Sequence, residues 1–210
     1  MPRREKKRVT MRYPHPRPTI RQRSPRAAGC TADTGAGWTN AGLLALRVVV
    51  GGLMTAHGLQ KTTHRLGGEG LAGGAEEFRH DGFRGGRLTA VAAGLGQTGG
   101  GVLLGAGLLT PLGVAAVAGV MTVAVTVKLP HGPWVQNDGY EYPLVLILTA
   151  AVTGLAGPGD WSLDRLAGVK WPAYAGIAGC AAGVLGGLAT RRALWRAGPR
   201  YGEPEATSSP

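Results

Sequence analysis

Five apolar blocks, at residues 41–56, 88–109, 112–129, 142–156 and 171–190, are separated by basic, Pro-rich or Gly-rich stretches. This partition constrains the chain more than any other feature. Most of the blocks approach the ~20 residues that cross a hydrocarbon core, and the shorter ones reach that length with their flanking residues. A soluble bundle would carry a polar stripe every three to four residues, and these blocks have none of useful width. The expected fold class is therefore all-α and integral to a membrane, with the lipid bilayer as the first partner.

The net charge of +11 could suggest nucleic acid, but ten of the 23 Lys and Arg residues precede Thr31. A basic tail next to an apolar block is better explained as a cytoplasmic flank held near anionic lipid, and no folded recognition motif accompanies it. No nucleic-acid partner is expected. Residues 1–37, with Pro14, Pro16, Pro18 and Pro25 and almost nothing to bury, are expected to be a disordered basic tail. The first block ends in His57-Gly-Leu-Gln-Lys61, which is no signal-peptidase site. The two cysteines, Cys30 and Cys180, form no C-x-x-C motif, so the chain has no residues for thiol–disulfide chemistry of its own.

Within the first block Arg47 is expensive at membrane depth. At 100° per residue it shares an arc of roughly 80° with Met54, His57 and Lys61, so one helix face must look inward or into an aqueous cleft. The connection at 62–87 holds Leu71, Ala75 and Phe78 at helical spacing and predicts a short amphipathic helix on the membrane surface. In the second block Gly94, Gly101 and Gly105 form the small face that lets membrane helices approach closely, with Gln97 about 60° to the side. Gln97 and Arg47 are a candidate intramembrane polar pair. Thr110 and Pro111 leave room only for a tight antiparallel turn, and Pro111 suits the first turn of the next helix.

Chain direction then brings the end of the first block and the loop after the third to one membrane face. The candidate polar cluster there is His57, Lys61, His131, Asp138 and Glu141, with Lys128 beside it. Asp138 and Glu141 also have the spacing of a capping box opening the fourth helix. Farther on, Asp160 or Ser162 could cap a short surface helix holding Asp164 and Arg165. In the fifth block Gly179, Gly183 and Gly187 make a ladder suited to packing or to a homo-oligomer. If the N-terminus is inside, a fifth crossing leaves Arg191, Arg192, Arg196 and Arg200 outside, against the positive-inside rule. No metal is expected, since two surface histidines make a weak ligand set.

The passage KLPHGPWVQNDGYEYPLVLILTAAVTGLAGPGDWSLD, which begins at Lys128, and the first-block passage LRVVVGGLMTAHGLQK resemble the DoxX family of small bacterial membrane proteins. The resemblance runs roughly from Gly42 to Leu166. It implies an antiparallel four-helix transmembrane bundle at 38–170, followed by an additional helix at 171–190 and a polar basic tail at 191–210. Family members usually carry Glu where this chain has Gln97, which puts a proton-carrying role for that position in doubt.

The resemblance further implies a multi-pass plasma-membrane protein, and at most a non-autonomous subunit of an oxidoreductase complex. Quinone is a candidate cofactor, with a membrane or soluble redox enzyme as a candidate partner. The cluster would bind the quinone headgroup or that partner. Two other readings stand beside it: a non-catalytic membrane scaffold, and a small-solute transporter whose path Arg47 and Gln97 would line.

Overall fold

The computed structural model describes residues 29–195, with side chains from residue 35 onward. The tails at 1–28 and 196–210 lie outside the described residues, and with them most of the expected disordered and basic tails. The described chain is all helical: α1 (Gly29–Thr62), α2 (Gly70–His80), α3 (Arg87–Ala106), α4 (Thr110–Lys128), α5 (Glu141–Ala156), α6 (Leu163–Leu166) and α7 (Ala175–Leu194), with two 3-10 turns at Leu129–His131 and Val135–Asn137. Helix α1 therefore starts inside the stretch expected to be disordered. No proline follows Pro25 before the helix begins, so nothing forbids helix there.

Three segments are long and apolar enough to cross a membrane: Gly35–Thr62, Arg87–Ala106 and Thr110–His131; α5 is a shorter apolar helix. Their outer faces agree with a lipid setting. Val48, Val49 and Leu53 on α1, Leu95 and Val102 on α3, and Val145, Leu148 and Val152 on α5 are all exposed. In water a surface of that kind would be a large apolar patch; in a bilayer it is the ordinary outer surface.

Glycine sets how the helices meet. Gly51 abuts Gly101 and Gly105, while Gly58 abuts Gly94 and Thr98, so α1 and α3 run in opposite directions with their backbones nearly touching. Gly179, Gly183 and Gly187 face Pro111, Ala115 and Gly119 in the same order, so α7 runs parallel to α4 and shares its depth. A Cβ on Gly183 would collide with the Ala115 carbonyl, and one on Gly176 with Gly154 of α5. The ladder expected to serve packing or oligomers is thus occupied within the chain. Around these seams, Met54, Leu104, Val114, Val117, Met121 and Leu146 form the main core.

Helix α2 differs from the surface helix expected. Ala75 and Phe78 are buried with Phe83 and Ala90 in a second cluster, so the helix closes one end of the bundle against α1 and α3. The C-terminal end of α7 reaches the same place. Phe83 and Trp195 form an isolated antiparallel bridge, the Arg84 amide donates to the Leu194 carbonyl at 2.8 Å, and Trp195 Nε1 donates to the Asp81 carbonyl at 3.2 Å.

Candidate functional site

Polar residues gather at both ends of the bundle. At the end where α1 enters, they form a closed lock. The α3–α4 turn needs two left-handed residues, Gly107 at φ 62° and Leu109 at φ 46°, and leaves the first amides of α4 without helical partners. Asp164, fully buried, supplies the acceptors. It receives the amides of Leu109 at 2.8 Å and Thr110 at 3.0 Å, the Thr110 hydroxyl at 2.7 Å and Trp171 Nε1 at 2.8 Å.

Burial pushes the Asp164 carboxyl up, but the hydrogen bonds from Thr110, Trp171 and Leu109 outweigh it and hold the group below its ordinary range. Ser162 caps α6, as its spacing predicts, by accepting from the Arg165 amide at 3.2 Å. Asn40 of α1 and Asp160 exchange two bonds of 2.8 Å.

Arg47 belongs to this lock. It is 1% exposed, and its Nη2 donates to the Trp161 carbonyl at 2.5 Å. Its guanidinium lies against Gly107, which follows Gln97 by ten residues (107 − 97), about 15 Å along α3. The structure does not bring Arg47 and Gln97 together. Opposite directions of α1 and α3 put a residue early in one helix beside the end of the other.

Gln97 instead lines a cleft of 650 Å³ floored by α4, flanked by α3 and α7 and roofed by α2 and Phe83. Its wall is made of small residues, among them Ala93, Gly96, Ala115, Gly119, Gly183 and Gly186. Gln97 is 5% exposed, and its buried Oε1 has no hydrogen-bond partner. An amide oxygen left unpaired at that depth is costly, and it stands about 15 Å from the start of α3, near mid-membrane.

The rim of the cleft holds three of the five cluster residues. Lys61 pairs with Glu77 at 2.5 Å, Lys128 pairs with Asp138, and His131 Nδ1 lies 3.5 Å from Asp138. His57 and Glu141 stand aside. His57 meets the Tyr142 hydroxyl at 3.2 Å, and Glu141 accepts the Val135 amide at 3.0 Å, fastening the preceding loop. The expected capping box is not formed, because Asp138 adopts a left-handed conformation that ends the second 3-10 turn and the N-cap of α5 is Tyr140.

Two rim residues were not foreseen, Glu77 and Asp81. The Asp81 carboxyl is pushed up by burial and by Glu77, against the opposing pull of His80, Lys61 and Lys128. Its signal in the sequence was the i,i+4 spacing from Glu77, which puts both carboxylates on one face of α2.

Residues 42–129 match the DoxX family. That segment covers α3, α4 and most of α1, and so includes Gln97, the roof and the floor of the cleft. No curated protein and no solved structure matches the chain.

Proposed function

We propose that this membrane protein, which carries a DoxX-family domain at residues 42–129, is a non-autonomous accessory subunit of a quinone-linked redox complex in the plasma membrane. In this reading α1, α3, α4 and α5 are an antiparallel four-helix transmembrane unit, α7 is a fifth crossing, and the N-terminus is cytoplasmic. The observation that carries the reading is the cleft: an apolar wall of small residues, an unpaired buried amide oxygen from Gln97 and a rim of ionisable groups at one membrane face.

These residues fit a quinone. Quinone supplies two-electron, two-proton chemistry when bound. Gln97 can donate to a carbonyl or accept from a hydroxyl, since an amide carries both functions. Asp81 and His131 stand at the rim, where protons exchange with water, and Asp81's raised pKa lets it hold a proton at higher pH than an ordinary carboxylate. The small side chains leave width for a prenyl chain. The transporter reading loses support because Arg47 is engaged in the lock and only Gln97 faces the cleft.

The test is affinity purification from gently solubilised native membranes, with quinone assayed and co-purifying proteins identified in the same eluate. Wild type should retain quinone together with a redox enzyme, and an Asp81→Ala/His131→Ala double variant should retain less quinone. A wild-type eluate with neither would discard the accessory-subunit reading in favour of a scaffold.

A further inference from the structure

The shape and chemistry of the cleft restrict both how a ligand enters and what kind of polar group it carries. From the aqueous side the way is narrowed by a roof with several fastenings. Phe78 and Phe83 meet edge to face at 5.8 Å, the Lys61 ammonium lies 5.4 Å over the Phe78 ring, and the bridge to Trp195 ties the roof to the end of α7. Arg191 stacks 4.7 Å over the Trp195 ring and steadies that tie.

From the side the situation differs. Helices α3 and α7 both pack along α4, and the cleft wall between them carries small side chains. Gly186 is part of this wall, and a Cβ there would meet nothing within 4 Å.

Charge is confined to the rim. Lys61, Glu77, Asp81, Lys128 and Asp138 stand at the mouth, and the wall below them has no charged residue. Among the residues that line the cleft, the buried polar atom without a partner is the Gln97 amide oxygen. A charged headgroup drawn down to Gln97 would lose its water without gaining a counter-ion, at a desolvation cost of several kcal/mol per ion. A neutral hydroxyl would donate the hydrogen bond that the Gln97 oxygen lacks.

We infer that the cleft is entered sideways from the bilayer by a single-chain, neutral-headed lipid whose hydroxyl donates to Gln97 Oε1, making Gln97 the residue that selects neutral over charged heads. This inference rests on the reading of the cleft as a ligand site, but it needs neither quinone nor a redox partner. The chain lies along the small-residue wall, and the ion pairs of the rim stay intact.

The experiment uses the full chain in lipid nanodiscs without partner proteins. Binding of three probes is measured by equilibrium partition: decylubiquinone, dodecanol and dodecanoate at a pH where its carboxyl is ionised. Three proteins are compared: wild type, Gln97→Leu, which removes the amide at similar volume, and Gly186→Leu, which fills the lateral opening where the backbone leaves room. Thermal unfolding of each variant is recorded alongside to show that it is folded.

Wild type should hold dodecanol and exclude dodecanoate. Gln97→Leu should weaken dodecanol about tenfold, and Gly186→Leu should abolish its binding. Wild-type affinity in a folded Gln97→Leu or Gly186→Leu protein would overturn the inference, as would dodecanoate binding as tightly as dodecanol. Dodecanol bound with Gln97 dependence, but no decylubiquinone, would uphold this inference and overturn the quinone reading alone.

Discussion

The two ends of the bundle hold similar numbers of polar side chains and use them in opposite ways. At the lock, Asp164 is fully buried and accepts four hydrogen bonds from three residues. At the rim, Glu77 and Asp138 are largely exposed and meet Lys61 and Lys128 in surface pairs, Asp81 is partly exposed, and beneath them Gln97 is buried without a partner for its oxygen. A carboxylate that collects four donors rigidifies what surrounds it, and a buried amide oxygen without a donor keeps the capacity to bind something else. The difference teaches which end holds the fold and which end is free to hold a ligand.

The severest way to break this comparison is to empty the lock. Asp164→Ala leaves the Leu109 and Thr110 amides and the Trp171 indole without an acceptor, and it removes the carboxylate opposite Arg47. A loss of about 3 kcal/mol or more is expected, since a buried charge and several buried donors lose their partners together. Denaturant titration in mixed micelles reads it, and a loss below about 1 kcal/mol would show that the α3–α4 turn holds itself.

Acid tests the same end without a mutation. Because hydrogen bonds outweigh burial and keep the Asp164 carboxyl below its ordinary value of 3.8, the folded protein binds that proton less tightly than the unfolded chain does. The stabilisation is fully present above 3.8 and is lost as pH falls through the depressed folded value. Unfolding temperatures of wild type should drop more steeply below about pH 4 than those of Asp164→Asn. Parallel acid profiles would mean that another group carries the dependence.

Arg47 gives a smaller effect. Its Nε and Nη1 have no hydrogen-bond partners, and Asp164 is satisfied by other donors, so replacing the guanidinium with an apolar chain of similar length removes an incompletely paired buried charge. Arg47→Met should change stability by about 1 kcal/mol or less in the same titration. A loss as large as that of Asp164→Ala would instead make the two residues a single obligatory ion pair.

Much of the architecture could be read from apolar length and glycine spacing. The blocks at 88–109 and 112–129 became α3 and α4 with ends shifted by a few residues, and Pro111 sits in the first turn of α4 because its missing N–H would have had no helical partner there. What could not be read was which polar residue meets which. Sequence spacing matches Arg47 and Gln97 in depth, yet the partner of Arg47 lies on a loop more than a hundred positions away that folds back under it. Asp164 looked like an exposed residue of a four-residue helix, and only the left-handed turn at Gly107 and Leu109 creates the donors that bury it. At the rim, Lys61 and His131 were legible because chain direction alone brings loop ends to one face; His57 and Glu141 reached that face too, but neighbouring Tyr142 and Val135 engage them.

The finest test sets one aspartate against the other. Asp81 departs from the ordinary carboxylate value in the opposite direction to Asp164: burial first, then Glu77, disfavour its charged form. A folded-state pKa raised above the unfolded one means that the folded protein takes up this proton more readily, so ionisation of Asp81 subtracts stability as pH rises through the raised value. Asp81→Asn keeps the shape and removes the charge. At pH 7 it should stabilise slightly, by less than about 1 kcal/mol, because the charges of Lys61 and Lys128, which partly offset the cost, are paired with Glu77 and Asp138 and act on Asp81 only at a distance. The gain should shrink as pH falls through the raised value and the wild-type carboxyl takes up its proton. Asp164→Asn in the same pH series should destabilise at pH 7 and converge on wild type in acid. Two curves of opposite sign would separate an end built for stability from one that keeps an unfavourable charge beside a cleft; two curves of the same sign would mean that both ends serve the fold alone.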